Sequence, residues 1–197
     1  MLPYFDTSPA VGLLLLIILV IWCLMEAAQY SIGRQRAGAR RVRQPAWWAA
    51  AVLVTIAANA ILYLAPRFAP AAAIRPAGVL AGIGLAVMAA GAALRRWSFA
   101  ILGTYFTFDV QVSSDQPVII AGPYRVLRHP SYTGILLICA GVGLAGGNWA
   151  GLAGMVILPA ALLVWRIRVE ERALLDTLDD RYRSYAQQHK RLIPLVW

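Results

Sequence analysis

Residues 130–165 read PSYTGILLICAGVGLAGGNWAGLAGMVILPAALLVW and contain no charged side chain. As a single α-helix this stretch would be about 54 Å long at 1.5 Å per residue, whereas the hydrocarbon core of a bilayer is about 30 Å thick. The tripeptide Gly146-Gly147-Asn148 in its middle combines helix C-cap and turn residues. The stretch therefore predicts a helical hairpin with legs of about Tyr132–Ala145 and Trp149–Arg166, each short for a complete span.

Three further apolar stretches precede this hairpin. They lie at about 11–25, 46–64 and 76–94. The second begins with a pair of tryptophans, which favour the membrane interface, and the third is followed by Arg95 and Arg96, which we expect to end it. The chain before the first stretch carries an aspartate and no cation, which is atypical of a cleaved signal peptide. We therefore predict an all-α integral membrane protein with five transmembrane helices, of which the last two form the short hairpin.

The composition agrees with a membrane protein. Hydrophobic residues make up 60% of the 197 residues, charged residues only 14%, and the mean hydropathy is +0.66. A soluble domain has about 25% charged residues, so a soluble enzyme and a disordered tail are both excluded. Cys23 and Cys139 lie inside predicted spans, which excludes a secreted disulfide scaffold.

The net charge of +9 is distributed unevenly along the chain. Segments 34–43, 95–129 and 166–197 hold 16 of the 18 cationic residues. The positive-inside rule places these three segments in the cytosol, with the N-terminus outside and the C-terminus inside. The arginines therefore indicate orientation rather than a nucleic-acid surface, and no nucleic-acid partner is predicted.

Two of these cytosolic segments have residues suited to chemistry. In the first, 122–134, Pro130 suits the first turn of a helix, whose free N–H groups with Ser131 and Tyr132 would form an anion site. Arg128 and His129 would stand beside it. The same cations could equally serve only to hold the orientation of the helix at the membrane surface.

The second segment, 165–175, follows the hairpin. Arg166 and Glu170 are four residues apart, and Arg168 and Glu171 are three apart, so each pair can meet on a helix. A charge at the membrane boundary is costly unless it is paired or functional. A surface ion-pair ladder is the alternative. The hairpin favours the functional interpretation, because it brings both segments to the same membrane face.

These residues resemble a known family. The pattern Gly122-Pro-Tyr, Arg128-His-Pro-Ser-Tyr, Gly134, Glu170-Glu171 and Tyr182-(two)-Tyr185 is similar to the isoprenylcysteine carboxyl methyltransferases, which are related to the phospholipid N-methyltransferases. The resemblance covers roughly 95–194. It implies a membrane enzyme that uses S-adenosylmethionine without a Rossmann fold. Residues 1–94 would hold three N-terminal helices. Residues 95–197 would be the catalytic half, in which a cytosolic loop, the hairpin 132–166 and a C-terminal amphipathic helix and tail form the cofactor pocket.

The resemblance also implies roles for individual residues. Arg166 and Glu170 would be catalytic, with Arg166 binding the substrate carboxylate and Glu170 a polar part of the cofactor. The remaining cofactor contacts would be Gln111, Gln116, Pro117, Val118, Ile119, Tyr124, His129, Pro130, Ser131 and Tyr132. No metal site is predicted. The closing segment 191–197 would fold back as a lid or anchor at the membrane through Trp197.

The function expected is carboxyl O-methylation of a lipophilic, isoprenylcysteine-like or prenylated substrate that enters from the bilayer. An ionised carboxylate has a reference pKa near 4 and needs no general base at neutral pH, which suits a chain with two histidines. N-methylation of a phospholipid or other lipid amine is the alternative. A sterol-type reductase would need a further phosphate site and more spans, and a small transporter or assembly factor would want polar groups at mid-membrane. The Ala- and Arg-rich composition suggests a bacterial inner membrane.

Two features outside the motif carry further expectations. Gly78, Gly82, Ala86 and Ala90 recur every four residues and predict a small-residue helix-packing face rather than a cofactor contact. Glu26, near the inner end of the first helix, is expected to pair with the arginines that follow it.

Overall fold

The computed structural model describes residues 2–33, 40–42, 45–107, 110–194 and 197. The described helices and strands are α1 Tyr4–Thr7, α2 Pro9–Gly33, β1 Arg40–Val42, α3 Pro45–Phe68, α4 Ala77–Leu102, β2 Val110–Val112, α5 Pro130–Gly146, α6 Trp149–Leu178 and α7 Asp180–Gln188. Short 3-10 turns lie at Pro70–Ala72, Gly103–Tyr105 and Gly122–Arg125.

The predicted hairpin is confirmed as α5 and α6. Gly147 caps the end of α5 in the left-handed conformation at φ 71°, which glycine adopts without strain. The Asn148 side chain then accepts hydrogen bonds from the backbone N–H groups of Ala150 and Gly151 at the start of α6. The second leg is not short as expected, because α6 continues past Arg166 to Leu178, about 45 Å in all. The charged segment after the hairpin is therefore the same rigid helix as the apolar leg.

Four described helices are long and apolar enough to cross a membrane. They fall within Pro9–Ala28, Ala46–Phe68, Ala77–Tyr105 and Trp149–Leu178, and α5 is a shorter apolar helix of 17 residues. The count of five spans stays a prediction. The expectation that Arg95 and Arg96 end the third span is wrong for the helix itself, since α4 runs on to Leu102.

Helices α4 and α5 pack antiparallel through glycines. A methyl group on Gly91 would lie 2.6 Å from the carbonyl oxygen of Gly134, and one on Gly84 would lie 2.6 Å from that of Gly141. Backbones this close leave room for no side chain. The predicted packing face was the wrong one, because Gly78, Gly82, Ala86 and Ala90 are all exposed. A four-residue repeat drifts around a helix of 3.6 residues per turn, whereas 84 and 91 are seven apart and stay on one side.

The structure adds a small antiparallel ladder to the expected all-α fold. Strand β1 pairs with β2, with Arg41 opposite Gln111. Val110 and Val112 on β2 are buried against the C-terminal part of the chain. The segments that hold the two strands therefore meet at the same end of the helices. Arg34, Arg36 and Arg43 of the first cationic segment lie outside the described residues.

Glu26 on α2 pairs with Arg95 on α4, and its expected pairing with the arginines that follow it falls on side chains outside the described part of the structure. Its carboxylate accepts from Nε of Arg95 and, at 2.8 Å, from Nη2. Nη1 of Arg95 donates to the carbonyl oxygen of Ser131 at 3.2 Å. One guanidinium therefore joins α2 to the first turn of α5.

Candidate active site

A cleft forms at the end of the bundle where α5 begins and α6 extends beyond its apolar part. Its empty volume is about 890 Å³, including space open to solvent. The walls come from the loop between α4 and α5, the first turn of α5, the last three turns of α6 and helix α7. These are the segments that the hairpin and the sequence motif predict to lie together.

The cleft collects almost every side chain proposed from the sequence. Its lining includes Gln111, Gln116, Pro117, Val118, Ile119, Tyr124, His129, Ser131, Tyr132, Arg166 and Glu170. Pro130 is the exception: it is buried at the first position of α5 and shapes the turn rather than the lining described here. Placement is thereby established, and the role of each residue stays a prediction.

Tyr132 connects the two residues proposed to be catalytic. Its hydroxyl donates to Oε2 of Glu170 at 2.7 Å, and the Arg166 guanidinium lies nearby on the same wall of the cleft. Arg166 and Glu170 are one turn apart on α6, so both face the hydroxyl from the same side of that helix. Arg166 is buried and Glu170 half-buried. A cation and a carboxylate therefore face one cleft from fixed positions.

Glu171 has a different set of partners from its neighbour. Its carboxylate lies 2.7 Å from Nη1 of Arg128, 3.3 Å from Nε2 of His129 and 2.8 Å from Nε of Arg191. The expected pairing with Arg168 is wrong: Arg168 is exposed, and Glu171 points into the protein. Glu171 thus joins α6 to the Arg-His-Pro loop and to the C-terminal segment.

The C-terminal segment is tied to the Arg-His-Pro loop by its backbone. Arg128 N donates to the carbonyl oxygen of Lys190 at 2.8 Å, and His129 N donates to that of Arg191 at 3.0 Å. The Thr133 hydroxyl donates to the carbonyl oxygen of Leu192 at 2.8 Å. The segment is therefore attached to protein rather than resting only on the membrane surface.

Three buried tyrosines complete the wall next to α7. Burial raises the pKa of the Tyr124, Tyr182 and Tyr185 phenols above the usual value of 10.0. All three are neutral donors at physiological pH. The Tyr185 hydroxyl donates to the backbone carbonyl oxygen of Tyr124 at 2.8 Å, which fixes α7 against the loop.

Several lining residues were not proposed from the sequence as cofactor or substrate contacts. They are Leu102, Tyr105, Phe106, Thr107, Val110, Val112, Arg128, Leu174, Leu178, Tyr182 and Tyr185. Arg128 and the two tyrosines of α7 belong to the quoted motif, so their place in the cleft could have been predicted from it. The valines of β2 gave none, because a three-residue strand in a polar loop has no recognisable period.

Two buried polar atoms of the cleft lack a hydrogen-bond partner among the described residues. They are Oε1 of Gln116 and Nε of Arg128. Leaving such atoms unpaired costs about 1–3 kcal/mol each. One is an acceptor and the other a donor, so the cleft is suited to a ligand that carries both kinds of group. The described residues contain no group of three His, Cys, Asp or Glu side chains that could hold a metal.

Comparisons with known proteins point to one family. A family model described as phospholipid methyltransferase matches residues 80–181. Protein-S-isoprenylcysteine O-methyltransferase B of Arabidopsis thaliana is 25% identical over 119 residues, which are 59% of this chain and 60% of that protein. A probable protein-S-isoprenylcysteine O-methyltransferase of Oryza sativa subsp. japonica is 27% identical over 116 residues, 58% of this chain and 61% of that one.

A solved structure is also similar. The eukaryotic intramembrane Ras methyltransferase, isoprenylcysteine carboxyl methyltransferase, is 28% identical with a TM-score of 0.60, over 79% of this chain and 54% of that chain. This chain therefore spans about 60% of the length of these two curated relatives and about half of the solved structure.

Proposed function

We propose that this chain, which belongs to the phospholipid methyltransferase family, is an integral-membrane methyltransferase that uses S-adenosylmethionine to esterify a carboxylate on a lipophilic, isoprenylcysteine-like substrate. The resemblance to isoprenylcysteine carboxyl methyltransferases is confirmed by the relatives and by the solved structure. The observation that carries the proposal is that buried Arg166 and half-buried Glu170 line one cleft, with the Tyr132 hydroxyl bonded to the Glu170 carboxylate.

The cleft residues fit S-adenosylmethionine. Its ammonium, ribose hydroxyls and adenine amino group are donors that Oε1 of Gln116 and the Glu170 carboxylate could accept from. Its carboxylate and ring nitrogens are acceptors for Nε of Arg128. Bound here, the cofactor supplies a methyl group on a sulfonium, which a nucleophile can take by in-line displacement.

The chain's own residues mainly position the reactants. Arg166 binds the substrate carboxylate through charge-assisted hydrogen bonds, and the carboxylate is already ionised at neutral pH because its reference pKa is near 4. The Tyr132 hydroxyl holds the Glu170 carboxylate in place, so that Glu170 serves the cofactor and Arg166, one turn away on α6, serves the acid. Aromatic and aliphatic side chains around the cleft, among them Phe106 and Leu174, exclude water. Alignment of the two reactants supplies most of the rate.

We also propose the orientation and the partners that the charge distribution indicates. The cleft faces the cytosol, where the cofactor is, and the hydrocarbon of the substrate or of membrane lipids approaches from the bilayer. The uneven distribution of 16 of 18 cations supports this orientation.

N-methylation of a phospholipid amine is the second candidate, favoured by the description of the matching family model. An amine must lose a proton before it attacks, and Glu170 would have to accept it. Arg166 opposes this chemistry, since its charge repels a substrate ammonium.

The test supplies radiolabelled S-adenosylmethionine to membranes with and without the protein and exposes the lipid extract to mild base. We expect a labelled product that base releases as methanol, as an ester does and a methylamine does not. A base-stable product would establish the amine reaction instead, and no labelled product would refute methyl transfer.

Two variants separate the subsites. Glu170→Gln should weaken binding of S-adenosylhomocysteine by about 10- to 100-fold, the range for a hydrogen bond to a charged group. Arg166→Ala should leave that affinity within about 2-fold and raise the KM of the carboxylate substrate. Arg168→Ala, an exposed cation on the same helix, is the matched control and should change neither. Unchanged turnover in both site variants would remove the proposed site.

A further inference from the structure

Trp47, in the first turn of α3, lies against two consecutive residues of α6. The guanidinium carbon of Arg166 is 4.8 Å from the centroid of its ring, and the ring centroids of Trp47 and Trp165 are 5.9 Å apart. Trp47 is half-buried and Arg166 buried. The residue lies outside the 80–181 match, so nothing in the family comparison assigns it a role.

The close packing of α3 against α6 at the far end of this helix pair sets the level at which Trp47 meets Arg166. At the other end of the same helix pair, a methyl group on Gly154 would meet Ile61 at 2.7 Å, and one on Gly151 would meet Leu62 at 3.3 Å. Leu62 is 15 residues after Trp47, and Gly151 is 15 residues before Arg166. Both intervals correspond to about 22 Å of helix, so two antiparallel helices in register place the indole at the level of the guanidinium.

A stacked indole constrains a guanidinium in a particular way. Where a guanidinium lies flat on an aromatic ring, the contact uses the flat face of the group, and the N–H donors of arginine lie in its plane and point outward from its edge. Stacking therefore fixes the plane without competing for those donors. A carboxylate is planar and matches two parallel N–H groups, whereas an ammonium has no acceptor to offer.

We infer that Trp47 is a positioning residue that holds the Arg166 guanidinium in the orientation that selects a carboxylate over an amine as the methyl acceptor. The inference rests on the proposed function and deepens it. It gives an N-terminal helix a part in the choice of the acidic substrate. Trp48, the next residue in the same turn, is 47% exposed and therefore provides a control for Trp47.

The experiment measures binding of a defined acid, N-acetyl-S-farnesylcysteine in detergent micelles, by calorimetry in the presence of S-adenosylhomocysteine. Trp47→Leu should weaken binding of this acid by about 2- to 30-fold, the range of a cation–π contact from exposed to desolvated sites. Trp47→Phe keeps an aromatic face and should recover most of the affinity. Trp48→Leu is the control and should bind within about 2-fold of the wild type.

A double-mutant cycle distinguishes positioning from a general structural effect. In the Arg166→Lys background, Trp47→Leu should change acid affinity by less than about 2-fold, because the stacked guanidinium is already gone. The affinity for S-adenosylhomocysteine should stay unchanged in every Trp47 variant. An equal loss in both backgrounds, or no loss in either, would overturn the inference.

The outcome is separable from that of the proposed function. Absence of a base-labile ester in the wild type would refute the reaction, whereas Trp47-dependent binding of the acid is read by calorimetry without turnover. Normal ester formation together with Trp47-independent acid binding would refute the positioning role alone.

Discussion

Replacing Glu171 by glutamine should destabilise the fold far more than the same change at Glu170. The two residues are adjacent on α6, yet Glu171 is 5% exposed and meets Arg128, His129 and Arg191, whereas half-buried Glu170 receives a hydrogen bond from Tyr132. Glutamine keeps the shape of the side chain and an acceptor oxygen. It removes the charge that compensates the cations around it.

The magnitude follows from the burial of those partners. Removing one member of a buried ion pair costs about 3–5 kcal/mol, because the other charge stays desolvated. The Arg128 side chain is 10% exposed, so the full cost of an unpaired buried charge applies to it. The Arg191 side chain is 33% exposed, so solvent screening limits its contribution to about 1 kcal/mol or less. Since glutamine retains part of the hydrogen bonding, we expect a net loss of about 3 kcal/mol at Glu171.

The assay is thermal unfolding of the purified protein in detergent, followed by tryptophan fluorescence. At about 2–4 °C per kcal/mol for a chain of this size, Glu171→Gln should lower Tm by about 6–12 °C. Glu170→Gln leaves the Tyr132 hydrogen bond with a neutral acceptor and should lower Tm by about 2–4 °C. Ligand binding should show the opposite order, with the larger loss at Glu170.

Equal shifts of Tm in the two variants, or a lower Tm for the Glu170 variant, would refute this prediction. A second measurement addresses the C-terminal segment directly. Because Glu171 holds Arg191, its glutamine variant should lose the last residues to carboxypeptidase faster than the wild type. The Glu170 variant should be digested at the wild-type rate.

Two further predictions concern helix packing and pH. Gly91→Ala should destabilise the protein by about 1–3 kcal/mol, since its methyl group would meet the carbonyl oxygen of Gly134 at 2.6 Å, and Gly82→Ala, with nothing within 4 Å, should be neutral or slightly stabilising in the same thermal assay. Burial raises the pKa of the Tyr185 phenol above the unfolded value of about 10, so its contribution to stability is complete below pH 10 and is lost as pH rises above it, by about 1.4 kcal/mol per pH unit. Tyr185→Phe should therefore lower stability at pH 7, because the substitution removes the hydrogen bond to Tyr124. Above pH 10 the same variant should show a smaller slope of Tm against pH than the wild type. An unchanged slope would contradict the raised pKa of Tyr185.

The sequence predicts those features that depend on local composition. Charge-free runs locate the helices, and Gly146-Gly147-Asn148 locates the turn, because capping is chemistry of two or three adjacent residues. The hairpin brings the Arg-His-Pro loop and the Glu-Glu segment together, because the start of its first leg and the end of its second leg lie at the same membrane face. Helix ends are less predictable: α4 and α6 continue through charged residues once these find partners in other segments.

Contacts between distant segments are what the sequence does not reveal. Spacing on α6 permits Glu171 to pair with Arg168, but the loop and the C-terminal segment offer it two arginines and a histidine. Likewise Glu26 pairs with Arg95, 69 positions along the chain. A single sequence shows which residues share a helix face but not which other helix that face meets.

Polar contacts from the N-terminal helices bear directly on the cleft, although all its described lining residues lie between 102 and 185. Within a bilayer, apolar side chains gain no hydrophobic free energy by leaving lipid for protein, so close backbone packing and polar contacts decide where helices sit. Glu26 acts on the first turn of α5 through Arg95, whose guanidinium also bonds the carbonyl oxygen of Ser131. Trp47 acts on the other wall through Arg166. Both of these contacts end on an arginine, and both arginines touch a segment that lines the cleft. The N-terminal helices are therefore supports of the site as well as membrane anchors, even though the family match begins only at residue 80.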